Sequence, residues 1–244
     1  MSIKNNGYNP HSKRFWEMDA ARGAAIVLMI LFHISFDLNY FGVYNLDFGW
    51  VFWYLLPRFI ASIFIILTGV SLTLNYNRSP KDAKRRFLRR GLEIFFFGTM
   101  ITIATFLFLP KGTILFGILH FIGISTIIAI PFVKMREKGL FLGSLFLITG
   151  FYLQTLRFDF SWLLWLGFMP TGFYTFDYFP IFPWFGLILT GIYLGNKFYP
   201  KAKRGFRINE FTGRLSILTF LGRNSLLIYL LHQPLIILLL SILR

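Results

Sequence analysis

DAARGAAIVLMILFHISFD, residues 19–37, is one uninterrupted apolar run that nevertheless carries Asp19, Arg22, His33 and Asp37. At about 100° per residue, with Arg22 at zero, His33 falls near 20° and both aspartates near 60°. The four ionisable side chains therefore share one stripe of a helix. With a rise of about 1.5 Å per residue, His33 stands roughly 16 Å beyond Arg22, and Asp37 about one turn further. Charge is costly in hydrocarbon, so such groups face a bundle interior and mark a pathway or a site. The stripe predicts a transmembrane helix with a functional face, and the other apolar runs become the walls around it.

Those runs dominate the chain. Of its 244 residues 56% are hydrophobic and 32 are Phe, a composition of integral membrane proteins rather than of soluble domains. Nothing of soluble-domain size separates the runs, so a single domain over 1–244 is expected. The basic residues at the start precede a full-length span bearing charge, unlike a cleavable signal. The absence of Cys excludes disulfides, thiolate metal ligands and thiol nucleophiles. A net charge of +15 would suggest nucleic acid in a soluble chain. Here Lys and Arg concentrate in alternate loops, which is an orientation signal, and nucleic acid is excluded as a partner.

Working outward, residues 1–18 are polar and basic and are placed in the cytoplasm. The first span covers about 20–41, and the loop GVYNLDFG (42–49), without a basic residue, lies outside. The second span, about 51–75, contains Pro57 and Arg58, and an isolated Arg at that depth is expected to turn inward. RSPKDAKRRFLRR (78–90) holds seven basic residues and returns the chain to the cytoplasm, where it also attracts anionic membrane lipids. Spans three and four, about 91–109 and 113–133, turn at PKGT, and the fourth carries His120. KMREKG (134–139) is again basic.

A fifth span, about 140–156, leads to the aromatic segment 157–179, which suits either interfacial anchoring or a substrate-facing lid. The sixth, PIFPWFGLILTGIYLGNKF (180–198), places Gly191 and Gly195 four residues apart, a spacing that permits close helix packing and is only a weak indicator of a homo-oligomer. After the basic loop YPKAKRGFRINEFTGR (199–214), a short surface helix at 211–221 precedes the last span. That span starts at an N-cap of Asn224 or Ser225 and runs to Leu243 with His232 and Pro234 inside it. The expected fold is an all-α polytopic membrane helix bundle of about seven transmembrane helices with the N-terminus inside.

His33 and Asp37 lie in the outer half of the first span, with Arg58 and His120 at similar depth on two others. A carboxylate at i+4 orients an imidazole and raises its basicity, so His33 with Asp37 reads as a general base. No His-x-x-x-His or Glu-x-x-His pattern offers a metal site, and no Gly-x-Ser-x-Gly turn offers a serine nucleophile. Activation of a hydroxyl or amine on an acceptor, or acyl transfer through the imidazole itself, remains.

RGAAIVLMILFH, residues 22–33, resembles the Arg-Gly-x-Ala…His first-helix motif of transmembrane acyltransferases, the superfamily that includes bacterial cell-surface sugar O-acetyltransferases. GILHFIGIS (117–125), DYFPIFPWFGLILTGIYLG (177–195) and LGRNSLLIYLLHQPL (221–235) resemble its branch named for the heparan-α-glucosaminide N-acetyltransferase catalytic domain. The resemblance implies a multi-pass enzyme of the plasma membrane. It would move an acyl group, acetyl above all, from cytoplasmic acyl-CoA (acetyl-CoA) to a sugar or lipid-linked amine or hydroxyl, without a metal.

By matching motif position, His33 would be the catalytic His and Arg22 a residue for acyl-CoA binding or local architecture. Asp37 is grouped with His33 as catalytic, Asp19, Arg223, Asn224 and His232 with Arg22 for acyl-CoA, and Arg58, His120, Asp177 and Trp184 with the acceptor, Arg58 or His120 as the group that would stabilise the developing oxyanion. The family's lysosomal member carries Asn where His33 aligns and its catalytic His in the following outer loop. GVYNLDFG holds no His, so the role passes to His33.

The phosphates of coenzyme A suit Arg22 and the basic loops, and its pantetheine arm is comparable in length to the rise from Arg22 to His33. A proton-coupled or anion transporter using the same intramembrane residues is the rival reading, although no internal repeat is visible. A scaffold in which the polar stripe only fixes packing is another.

Overall fold

The computed structural model describes residues 14–109, 112–208 and 216–242. Within them the chain folds into eight α-helices: α1 Trp16–Tyr40, α2 Leu56–Arg78, α3 Ala83–Phe108, α4 Ile118–Ile128, α5 Glu137–Gln154, α6 Ile181–Phe198, α7 Ser216–Arg223 and α8 Ser225–Ile242. A π-helical turn, Val51–Leu55, runs directly into α2. β structure among the described residues is confined to two isolated bridges. The expected helical membrane fold is what forms. Backbone polar groups in hydrocarbon must be satisfied within their own segment, and apolar runs of this length do so as helices.

Four helices are long and apolar enough to cross a membrane: Trp16–Tyr40, Val51–Arg78, Ala83–Phe108 and Ser225–Ile242. Ile118–Ile128 is apolar but shorter. The expected fourth span at 113–133 is trimmed at both ends for local reasons. Before it, residues 112–117 are held out of the helix: the Phe176 and Phe179 N–H groups donate to the carbonyls of Gly112 and Phe116. After it, the chain tightens into a 3-10 turn, Ile130–Phe132, containing Pro131. The fifth and sixth helices are 18 residues each and carry Glu137 and Lys138, and Asn196 and Lys197, within their length.

The chain forms two compact units, Met1–Leu56 with Asn209–Arg244, and Pro57–Ile208. In the first, α1 packs on α7 and α8. Gly23 lies so close to α7 that a Cβ there would meet the Leu218 carbonyl, and one at Gly222 would meet the carbonyl of Asp19. Lipid supplies little hydrophobic drive between helices, so close backbone approach through small residues carries such contacts. The short helix expected on the surface is therefore a packing partner of α1. Residues 211–215 of its expected span, and Leu243 at the end of the last one, lie outside the described residues.

In the second unit α3 packs on α4 and α5 on α6. Phe121, Phe185, Ile188 and Ile192 form the buried centre. A Cβ at Gly191 would meet the Ile66 carbonyl, and Gly195 lies against Thr73, both on α2. The Gly191–Gly195 spacing, open in the sequence to a second copy, is thus covered from within the chain. Segment 157–179 is fastened to the loop before α4 by Thr175 Oγ1, which donates to the Thr113 carbonyl, and is tied within itself by Tyr178 Oη donating to the Leu164 carbonyl.

Candidate functional site

The polar stripe of α1 faces inward in the first unit. Asp19, Gly23, Ile26, Met29 and Asp37 are buried, while Leu31 and Ile34 on the other side are exposed. Each ionisable group of the stripe has a partner that fixes its direction.

At His33, Nδ1 lies 2.8 Å from the Met29 carbonyl one turn earlier. A carbonyl only accepts, so Nδ1 carries the hydrogen and, in the neutral ring, Nε2 keeps its lone pair. His232 on α8 repeats the arrangement, with Nδ1 2.6 Å from the Tyr229 carbonyl. Its Nε2 is buried with no partner among the described residues. The two imidazoles face each other edge to face, with centroids 4.7 Å apart and planes at 82°. Phe32 lies 5.5 Å from the His33 ring, and beyond it are Phe52 and Trp53 of the π-helical turn.

Asp37 does not orient His33 as the i+4 spacing suggested. Its carboxylate, 2% exposed as a residue, accepts from the side-chain amide of Gln233 at 3.0 and 2.8 Å. The backbone carbonyl of Met29 holds the imidazole instead. His232, placed with the coenzyme residues by its motif, lies beside His33. Gln233 was not singled out in the sequence, because nothing there pairs it with a carboxylate 196 positions away.

At the other end of α1, Asp19 sits between two guanidinium groups. Arg22 Nη1 is 3.3 Å from Oδ1, and Arg223 Nε at the end of α7 is 3.4 Å from Oδ2. The Gly23 and Gly222 contacts place Arg223 here. Two cations around one buried carboxylate leave a net positive cluster with a half-exposed Arg223, which fits a phosphate-bearing group. Asn224 is used locally: its Nδ2 donates to the Phe220 carbonyl and closes α7, rather than capping α8.

The remaining candidates belong to the second unit. Arg58 is exposed, unlike the inward Arg expected. His120 is buried between Phe95 and Phe116, its Nε2 3.4 Å from Thr102 Oγ1 within that unit. Trp184 packs against Phe179, with centroids 4.6 Å apart and ring planes tilted by 51°.

Asp177 accepts the Ile118 N–H at 2.9 Å and so caps α4 from a distance. Burial of its carboxyl raises its pKa to about 6, outweighing the opposite pull of that hydrogen bond. A folded-state value above the unfolded one means stability is greatest with the group neutral, below about pH 4, and is lost as pH rises through 6. Asp177→Asn keeps an accepting oxygen without a charge. The melting-temperature difference, wild type minus variant, is therefore expected to fall between pH 4 and 7. A difference independent of pH would contradict this assignment.

Among the described residues no three or more His, Cys, Asp or Glu gather to hold a metal ion. No match emerged among curated proteins or among solved structures. The family model for heparan-alpha-glucosaminide N-acetyltransferase, catalytic, matches residues 14–234, a stretch that takes in the first helix, both imidazoles and Gln233. With its membrane-length helices and that match over most of its length, the chain belongs to the heparan-alpha-glucosaminide N-acetyltransferase catalytic-domain family of membrane transferases.

Proposed function

We propose that this protein is an acyl-CoA-dependent acetyltransferase of the plasma membrane, with its N-terminus in the cytoplasm. It would acetylate an amine or hydroxyl of a sugar-bearing acceptor. The observation that supports this reading best is the pair of facing imidazoles, each held through Nδ1 by a backbone carbonyl, so that Nε2 is the basic atom of both. Family membership supplies the reaction class.

Acetyl-CoA, when bound, supplies an acyl carbon activated as a thioester. Arg22 and Arg223, poised around Asp19, bind its phosphates from the cytoplasmic side. His33 Nε2 would take the proton that the acceptor loses as its nitrogen or oxygen bonds to the acyl carbon, and return it to the coenzyme A sulfur as the C–S bond breaks and the thiol leaves; His232 fixes the ring's position by packing against it. Asp37, one turn beyond, favours the positive charge that develops on the imidazole. The apolar walls exclude water, which protects the thioester and sharpens orientation.

The test is purified protein in detergent with radiolabelled acetyl-CoA and glucosamine. Acceptor-dependent appearance of N-acetylglucosamine supports the reading, and tight coenzyme binding without turnover, or solute flux in liposomes, counts against it. Removing one charge-assisted phosphate contact costs roughly 1.5–3 kcal/mol. Arg223→Ala is therefore expected to raise the acetyl-CoA KM about 10-fold or more. An unchanged KM would remove Arg223 from the donor site.

A further inference from the structure

Gln233 is held in one orientation by chemistry alone. The Asp37 carboxylate can only accept, so the amide nitrogen of Gln233 must face it, and Nε2 reaches both oxygens. That leaves Oε1 on the opposite branch of the amide. This oxygen is buried and has no partner among the described residues. Its neighbour in sequence, His232, presents a second buried acceptor without a partner, Nε2. Pro234 follows inside α8 and has no N–H to give the carbonyl of Leu230.

The His33 ring packs edge to face with that of His232, centroids 4.7 Å apart, so this end of the α1–α8 contact collects acceptors: two imidazole nitrogens, an amide oxygen and a carboxylate. Leaving buried acceptors unmet is costly in a helix bundle, and native structures rarely do so without reason. What completes the set is a molecule that brings N–H or O–H donors.

We infer that Gln233 is an acceptor-binding residue: its Nε2 fixes Asp37 while its Oε1 receives a donor hydrogen of the acyl acceptor beside the paired imidazoles. This rests on the transferase reading above. One donor group of the acceptor passes its hydrogen to an imidazole, and a neighbouring hydroxyl or amine is held by Oε1. The site therefore selects acceptors with two adjacent donor groups, as an amino sugar has, over simple amines with one.

The test uses the full chain in nanodiscs with acetyl-CoA and glucosamine. Gln233→Met keeps the length of the side chain and removes both polar atoms. It is expected to raise the glucosamine KM at least 10-fold while the acetyl-CoA KM stays within twofold. Gln233→Asn, which retains an amide too short to hold Asp37 and present its oxygen together, is expected to show the same split, and it decides the matter if the Met variant does not fold.

A glucosamine KM within twofold of wild type overturns the proposal. So does a parallel rise in both KM values, which is the mark of a general loosening. No transfer by the wild-type protein would instead sink the transferase reading, and this assignment with it, a pattern distinct from either variant result.

Discussion

His33→Ala is expected to lower kcat for acetyl transfer by about 10²–10⁴-fold, the usual contribution of a positioned general base. The acetyl-CoA KM should change little, because Arg22 lies roughly 16 Å and Asp19 roughly 21 Å away along α1, and both, with Arg223 on α7, keep their own contacts. Little structure depends on the imidazole: its hydrogen bond goes to Met29 O, a carbonyl already within a helix. His33→Gln separates base from spacer. It can still donate to the carbonyl but cannot take a proton at neutral pH, so it should be as inactive as the Ala variant. Steady-state rates with labelled acetyl-CoA check both, and a Gln variant retaining more than a tenth of wild-type kcat would show that His33 positions rather than accepts protons.

Gly23→Leu is expected to prevent folding of the first unit. Any Cβ at position 23 runs into the backbone carbonyl of Leu218, and Gly222 on α7 is equally tight against the backbone of Asp19. Because the obstacle is main chain, no rotamer change relieves it, and the helices must separate. Overpacking of a core by a few methylenes costs roughly 1–3 kcal/mol, so Gly23→Ala should lower the melting temperature measurably and Gly23→Leu should yield no monodisperse protein. Separation would also take Arg223 away from Asp19, so any Gly23→Ala protein recovered should show a raised acetyl-CoA KM. Wild-type melting in the Leu variant would contradict the α1–α7 crossing.

The membrane fold and the inward-turned polar face of α1 were legible because both are periodic properties of a single segment. Asp19, Arg22, His33 and Asp37 fall on one stripe by helix geometry alone, and the structure turns that stripe inward. What each side chain meets was not legible, because partners come from residues about two hundred positions away. Asp37 finds Gln233 and Asp19 finds Arg223 only after α7 and α8 pack on α1.

The i+4 rule named a plausible partner for His33 but could not weigh it against the carbonyl of Met29, which every helix offers. Apolar length likewise overstated α4. Its approach is held out of the helix by backbone pairing with Phe176 and Phe179, a tertiary contact with no local signature. Gly191 and Gly195 announced close packing without saying that the partner would be α2 of the same chain.

The most direct measurement is a structure of the full chain with coenzyme A bound. Nucleotide phosphates against Arg22 and Arg223, with the thiol end beside the His33 and His232 rings, is the expected result. Coenzyme density elsewhere, with the His33–His232 pair packed only against apolar side chains, would contradict it.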